Sequence, residues 1–158
     1  MKSLHELCIK HQITLACAES VSGGAFSSSL TQTANASSYF LGGIVSYSTQ
    51  SKIDLLDVSK DIIEKHTVYS LECVEAMALG VQKKFGSQLS IAISGEAGHH
   101  LIDDHQKRLV YSCIMFNDRI ELFKDSLSGL RNDIIRKCVD LLHQRCISII
   151  ERGYNGKE

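Results

Sequence analysis

Three short apolar segments, at residues 13–18, 42–48 and 88–94, constrain the fold of this chain more than any other feature. Each segment has the length of a strand and ends in small or polar residues. The stretches between them have the length and the apolar spacing of helices. Alternation of this kind predicts strands that run parallel to one another, with helices packed on both faces of the sheet.

The helices are predicted from caps and periodicity, because the chain contains no proline to mark boundaries. Ser59 and Ser70 have side chains that cap helices. Gly153 is the expected stop of the last helix. The predicted helices span residues 1–12, the stretch from Gly23-Gly24 to about residue 30, and residues 59–66, 70–85 and 130–151.

Two further strand-like runs, at residues 109–116 and 119–124, are joined by Asn117-Asp118, which suits a tight hairpin. At least one strand pair is then antiparallel. The element order α-β-α-β-α-α-β-β-β-α predicts an α/β fold, a three-layer α/β/α domain with a mixed central sheet of about five strands. At 158 residues, the chain has the size of a single domain over 1–158.

Composition excludes several partner classes. The net charge of −1, with no block of like charges, argues against nucleic acid as a partner. The apolar runs are shorter than the roughly 20 residues of a membrane span, so no membrane partner is expected. The six cysteines form no C-x-x-C pair and lie mostly inside predicted helices and strands. With no secretory signal in view, we expect buried, reduced thiols and a cytoplasmic protein.

Polar residues at strand ends are the candidate site residues. Ser20 follows the first strand and precedes Gly23 and Gly24, so it would be exposed where the glycines let the backbone approach a substrate. Ser94 and Gly95 end the third strand in the same way. An ordinary turn with a helix cap is the alternative for the Ser20 pattern, and a plain loop is the alternative for Ser94 and Gly95.

Lys52 follows the second strand, either at its exit or in the first turn of the next helix. A desolvated lysine is able to take the proton of a serine hydroxyl. A solvated surface lysine is the commoner alternative. Tyr47 and Ser48, just before it, would otherwise be an interfacial aromatic residue and a cap.

A metal site is not expected. His99, His100 and His105, with Asp103 and Asp104 between them, do not converge on one point on a regular backbone. We interpret them as a solvated polar loop. No cofactor is expected either.

Several motifs in order resemble the CinA C-terminal domain family, the competence/damage-inducible proteins. The family pattern A-E-S-x-[ST]-G-G corresponds to AESVSGG at residues 18–24, and G-x-V-[AST]-Y-S-x-x-x-K to GIVSYSTQSK at residues 43–52. LDV at 56–58, Val68 through Met77, SGEAG at 94–98 and SGLR at 128–131 correspond to later family motifs. The resemblance extends from about Leu15 to Leu142.

The stand-alone members of that family are nicotinamide-nucleotide amidohydrolases, so the resemblance implies an enzyme that deamidates nicotinamide mononucleotide. It implies Ser20 as nucleophile and Lys52 as general base, with Tyr47 and Ser94 holding that pair or the substrate. It implies Arg131 as the phosphate ligand. Backbone groups of Ser22, Gly23, Gly24 and Gly95 would bind the substrate, a small-molecule nucleotide. A homodimer or higher homo-oligomer is also implied.

One segment departs from the family pattern. After Gly98 the family continues with Pro and Gly residues, whereas residues 99–108 here read HHLIDDHQKR. The second arginine that commonly follows the Arg131 position by four residues is Ile135. Two alternatives to the deamidase follow: a nucleotide-binding regulatory module with the same fold that has lost turnover, or an amidohydrolase for another amide. The separate N-terminal domain of longer members is not expected.

Overall fold

A mixed five-stranded sheet forms the centre of the computed structural model, which describes residues 2–98 and 106–155. The strands are β1 Leu15–Glu19, β2 Phe40–Val45, β3 Leu89–Gly95, β4 Arg108–Phe116 and β5 Arg119–Leu127. Their order is β2-β1-β3-β4-β5. β1 pairs in parallel with β2 and β3, whereas β3 with β4 and β4 with β5 are antiparallel. The carboxyl ends of β1, β2 and β3 therefore meet at one edge of the sheet.

Helices cover both faces of this sheet. They are α1 Leu4–His11, α2 Ala25–Thr31, α3 Thr49–Leu56, α4 Lys60–His66, α5 Leu71–Phe85 and α6 Arg131–Asn155, with a 3₁₀ turn at Ala36–Ser38. Apolar side chains of α1, α2 and α6 form one core with the sheet, and those of α3, α4 and α5 form a second core on the opposite face. The predicted three-layer α/β/α architecture with a mixed sheet is confirmed. In the part of the chain described, no helix is long and apolar enough to cross a membrane.

Strand β1 is buried on both faces because it contributes to both cores. Leu15 and Cys17 belong to the core under α1, α2 and α6, whereas Ala16 and Ala18 belong to the core under α5. This division follows from the alternation of side chains along a strand. All six cysteines are buried free thiols, as the sequence predicted.

The predicted caps form as expected. The hydroxyl oxygens of Ser59 and Ser70 accept hydrogen bonds from the backbone N–H groups of Ile62, at 3.2 Å, and Cys73, at 3.1 Å. The Asn117-Asp118 hairpin joins β4 to β5. These local predictions hold because a cap or tight turn depends on its own few residues.

Two boundaries differ from the prediction. β2 ends at Val45 rather than at residue 48, because Ser48 accepts from the N–H of Ser51 and starts α3. This adds a helix to the predicted order. At the other end, α6 continues through Gly153 to Asn155. Tyr154 packs against the core there, and that burial outweighs the roughly 1 kcal/mol that glycine costs a helix.

The contact between α3 and α5 depends on Gly80. A Cβ atom at Gly80 would lie 2.0 Å from the carbonyl oxygen of Leu56, the last residue of α3. We predict that Gly80→Ala lowers the free energy of unfolding in urea by about 1–3 kcal/mol through this steric clash. Without this clash, alanine would stabilise the helix by about 1 kcal/mol relative to glycine.

The matched control is Leu79→Ala, one residue away on the same helix, where the parent side chain is 41% exposed. This variant should change the free energy of unfolding by less than about 1 kcal/mol. A Gly80→Ala protein as stable as the parent would contradict the close helix contact.

Candidate active site

Ser20 lies directly after β1 and is held by backbone hydrogen bonds on both sides. Its N–H donates to the carbonyl of Ile93 in β3, at 3.0 Å, and its carbonyl accepts from the N–H of Gly23, also at 3.0 Å. Gly23 and Gly24 have φ angles of +59° and +98°. Backbone of this kind favours glycine, so the glycine pair produces the tight turn between Ser20 and α2.

The carboxylate of Glu19 holds the same turn from inside the protein. It is 1% exposed and accepts from the hydroxyl of Ser22 at 2.6 Å, the N–H of Phe26 at 3.0 Å, and both the N–H and the hydroxyl of Ser27 at 2.7 and 2.6 Å. Gly24, at the start of α2, has no side chain to cap the helix. Glu19 takes that role, and its negative charge is favoured at a helix N-terminus.

Lys52 brings its amine to Ser20 from α3. A helical side chain is tilted toward the N-terminus of its helix, which directs Lys52 back to the end of β2. Its Nζ donates to Ser20 Oγ at 2.9 Å and to the carbonyl oxygen of Ser46 at 2.6 Å. The lysine side chain is only 1% exposed. The structure therefore rules out the solvated surface lysine and brings the candidate nucleophile and the candidate base together.

Burial lowers the pKa of Lys52 from its ordinary value. Among the described residues, no carboxylate forms an ion pair with this amine, so desolvation of the charged form is not compensated. The neighbouring thiol of Cys73 would raise the lysine pKa as a thiolate. Burial raises the pKa of Cys73 in turn, which keeps that thiol neutral.

Ser46 connects the two halves of the site through its backbone. Its carbonyl accepts from Lys52, and its N–H donates to the carbonyl of Glu19 at 2.8 Å. The Ser46 hydroxyl is buried and has no hydrogen-bond partner within residues 2–98 and 106–155. The backbone of this residue, and not its side chain, positions the lysine amine.

A cleft of about 390 Å³ opens beside Ser20 and Lys52. Its lining comprises Ser20, Val21, Tyr47, Ser48, Thr49, Lys52, Val68, Tyr69, Gly95 and Arg131. Five of the predicted site residues are in this set. A larger groove of about 470 Å³ lies between α4, α5 and the β4–β5 hairpin, and none of the predicted site residues lines it.

The side chains of three predicted site residues, Ser94, Ser22 and Arg131, form hydrogen bonds within the protein. Ser94 is fully buried and donates to the carbonyl of Val68 at 2.8 Å, so its hydroxyl fixes the loop before α5 and is not a hydrogen-bond partner of Ser20 or Lys52. The Ser22 hydroxyl is bound to Glu19. Arg131 lines the cleft but also donates to the carbonyl of Gly98. The predicted roles of these residues in catalysis and binding stay predictions.

The sequence interpretation missed three functional candidates: Glu19, Tyr69 and the backbone carbonyl of Ser46. Glu19 was visible as a charged residue ending a buried strand, which is a signal for a buried polar contact. Tyr69 lines the cleft from the loop between α4 and α5. The Ser46 carbonyl belongs to the backbone, so no side-chain pattern could reveal it.

Metal ligands do not gather in the part of the chain described, since residues 2–98 and 106–155 contain no group of three His, Cys, Asp or Glu side chains suited to a metal ion. His99, His100, His105, Asp103 and Asp104 lie outside the described residues. The expected lack of a metal site therefore stays a prediction.

Solved structures of other proteins share this fold. A CinA superfamily protein from Klebsiella pneumoniae gives a TM-score of 0.87 at 24% identity, covering 94% of each chain. A competence or damage-inducible protein from Enterobacter asburiae gives a TM-score of 0.81 at 25% identity, covering 96% of this chain and 99% of that one. These similarities show that the chain has a CinA-like α/β fold.

Sequence comparisons agree. The chain is 37% identical over 130 residues to Protein MG115 homolog of Mycoplasma pneumoniae, covering 82% of this chain and 83% of that protein. It is 34% identical over 137 residues to a putative competence-damage inducible protein of Bacillus subtilis, of which it covers 33%. The sequence profile of the CinA C-terminal domain matches residues 1–145. The chain belongs to the CinA C-terminal domain family.

The Glu19 carboxylate supplies the next prediction. Glu19→Gln replaces one accepting oxygen by an NH₂ group that faces the N–H and hydroxyl donors of the turn, so at least one donor loses its partner. We expect the free energy of unfolding to fall by about 2–3 kcal/mol, the range for hydrogen bonds to a buried charge. Urea unfolding monitored by circular dichroism measures the change.

Ser22→Ala is the matched control, because it removes a single donor and leaves the carboxylate with the N–H groups of Phe26 and Ser27. Its expected cost is about 1 kcal/mol. If Glu19→Gln is no more costly than Ser22→Ala, the carboxylate does not hold the turn.

Proposed function

We propose that this chain is an amidohydrolase that deamidates nicotinamide mononucleotide to nicotinic acid mononucleotide and ammonia through an acyl-enzyme on Ser20. The contact between Lys52 Nζ and Ser20 Oγ, 2.9 Å long and buried, carries the proposal. A serine hydroxyl is a weak nucleophile until a base within hydrogen-bond distance takes its proton. The substrate follows from the family resemblance.

In the acylation half, neutral Lys52 takes the Ser20 proton while Ser20 Oγ forms a bond to the carboxamide carbon. The carbonyl oxygen becomes an oxyanion, which needs hydrogen-bond donors. The N–H of Gly23 already donates to Ser20. The N–H groups of Val21, Ser22 and Gly24 have no acceptor among the described residues, and of these three residues Val21 lines the cleft. We propose these N–H groups as the donors to the oxyanion. Lys52 then protonates the departing nitrogen, the C–N bond breaks, and ammonia leaves.

In the deacylation half, a water molecule gives a proton to Lys52 and attacks the acyl carbon. The C–O bond to Ser20 breaks, and Lys52 returns the proton to Ser20 Oγ. The carboxylic acid product leaves in its ionised form. No cofactor takes part. Arg131 lines the cleft, and in this proposal it binds the substrate phosphate through the N–H groups not donated to Gly98.

The altered segment at residues 99–108 favours a second candidate, a nucleotide-binding regulatory module without turnover. Residues 99–105 lie outside the described part of the chain. Calorimetric binding of nicotinamide mononucleotide without ammonia release would favour the module. Release of ammonia from glutamine or another amide, but not from this nucleotide, would favour a different amidohydrolase. The single domain over 1–158, cytoplasmic location and assembly as a homodimer or higher homo-oligomer stay predictions.

Lys52 makes the mechanism testable through pH. A free lysine has a pKa near about 10.4, and burial lowers the pKa of Lys52, so the neutral base is reached at lower pH than in a free lysine. The rate of ammonia release should rise with pH through an apparent pKa below that of free lysine. Arginine cannot give up its proton in this range. Lys52→Arg should therefore lose turnover by about 100-fold or more, with a much smaller change in substrate binding.

Ser20→Ala provides the reference for full loss of the nucleophile. Because the two residues act as one unit, the double variant should be scarcely slower than either single variant. Near-normal turnover in Lys52→Arg would show that Lys52 is not the base.

A further inference from the structure

Two tyrosines line the cleft beside Ser20. The side chain of Tyr47 is 63% exposed and that of Tyr69 is 45% exposed, so much of each ring remains available to a ligand. They come from different segments, the loop between β2 and α3 and the loop between α4 and α5. Aromatic side chains of this kind offer a large rigid contact surface at low conformational cost.

The loop that carries Tyr69 is fixed on each side of the ring. The Tyr69 N–H donates to Thr67 Oγ1 at 3.2 Å, and the Ser70 hydroxyl donates to the Thr67 carbonyl at 2.9 Å. The Val68 carbonyl accepts from the buried Ser94 at 2.8 Å. Thr67 has a φ of +66°, a costly conformation for a β-branched residue that persists only where the surroundings hold it. Tyr69 is thus presented to the cleft from a fixed loop.

The charged residues of the cleft lining bear on the kind of ligand that the Tyr69 ring would contact. Lys52 and Arg131 are basic, and no carboxylate is among the described residues that line the cleft. The pyridinium ring of the proposed substrate carries a positive charge. An aromatic face attracts a cation through its quadrupole, without the full charge of a carboxylate. In a cleft without a carboxylate in its described lining, an aromatic face is therefore the group that would attract a cationic ring.

We propose that Tyr69 contacts the face of the positively charged aromatic ring of the substrate and selects cationic aromatic amides over neutral ones. This inference rests on the proposed function. It assigns Tyr69 a part in specificity, whereas bond making and breaking belong to Ser20 and Lys52. Ser94 then acts on the substrate through the loop, by holding the Val68 carbonyl.

The test measures binding in a Ser20→Ala background, where turnover cannot interfere. Two ligands are titrated by calorimetry: nicotinamide mononucleotide, with a cationic aromatic ring, and its reduced form, with a neutral dihydropyridine ring. Tyr69→Leu keeps apolar bulk but removes the aromatic face, and Tyr69→Phe keeps the face. We expect Tyr69→Leu to weaken binding of the cationic ligand by about 5–30-fold and binding of the neutral ligand by less than about 2-fold.

Tyr69→Phe should bind both ligands within about 2-fold of the parent. Ile120→Ala, an exposed apolar residue outside this cleft, should leave both affinities unchanged. The inference would be overturned if Tyr69→Leu lowered the affinity for the two ligands equally, or lowered neither affinity.

Ammonia release by the parent chain separates this inference from the proposed function. If the parent releases ammonia from nicotinamide mononucleotide but Tyr69→Leu binds both forms as the parent does, only the role of Tyr69 is wrong. If the parent releases no ammonia but Tyr69→Leu still loses the cationic ligand selectively, the deamidase is wrong and the cation contact stands. If the mononucleotide does not bind at all, both are wrong.

Discussion

The rest of the site depends on the burial of the Lys52 amine and on its contact with Ser20. A lysine that is 1% exposed, without a carboxylate partner in the described part of the chain, loses the hydration that favours its charged form. Its two acceptors are a serine hydroxyl and a backbone carbonyl. Neither compensates as a negative charge would. The fold keeps the amine there through α3, whose last turn packs closely against Gly80 of α5.

Three strand ends supply the remaining parts of the site, and Glu19 links two of them. Its carboxylate holds the turn that carries Ser20, while its backbone carbonyl accepts from Ser46, whose own carbonyl orients Lys52. A displacement at the end of β1 would therefore move Ser20 and Lys52 together. Such coupling keeps the 2.9 Å contact fixed, and catalysis is sensitive to misplacements of about 1 Å.

Local sequence signals predicted much of the fold, because caps, hairpin turns and apolar alternation act over a few residues. They failed where a distant contact decided the outcome. The motif resemblance pointed to Ser20 and Lys52, but spacing alone favoured a surface lysine, since its burial depends on residues far along the chain. The hydrogen-bond partner of Ser94 is likewise distant in the sequence, since it is the carbonyl of Val68 in the loop before α5. Gly153 did not end α6, because core packing by the neighbouring Tyr154 overrides glycine's weak preference.

Trapping of the intermediate tests directly whether Ser20 forms a covalent acyl-enzyme, as we propose. The parent chain would be mixed with nicotinamide mononucleotide, quenched in acid within milliseconds, digested and examined by mass spectrometry. We expect the substrate's acyl group on the peptide that contains Ser20, and no adduct on that peptide in Ser20→Ala. An adduct on another residue, or ammonia release by Ser20→Ala at the rate of the parent, would contradict this proposal.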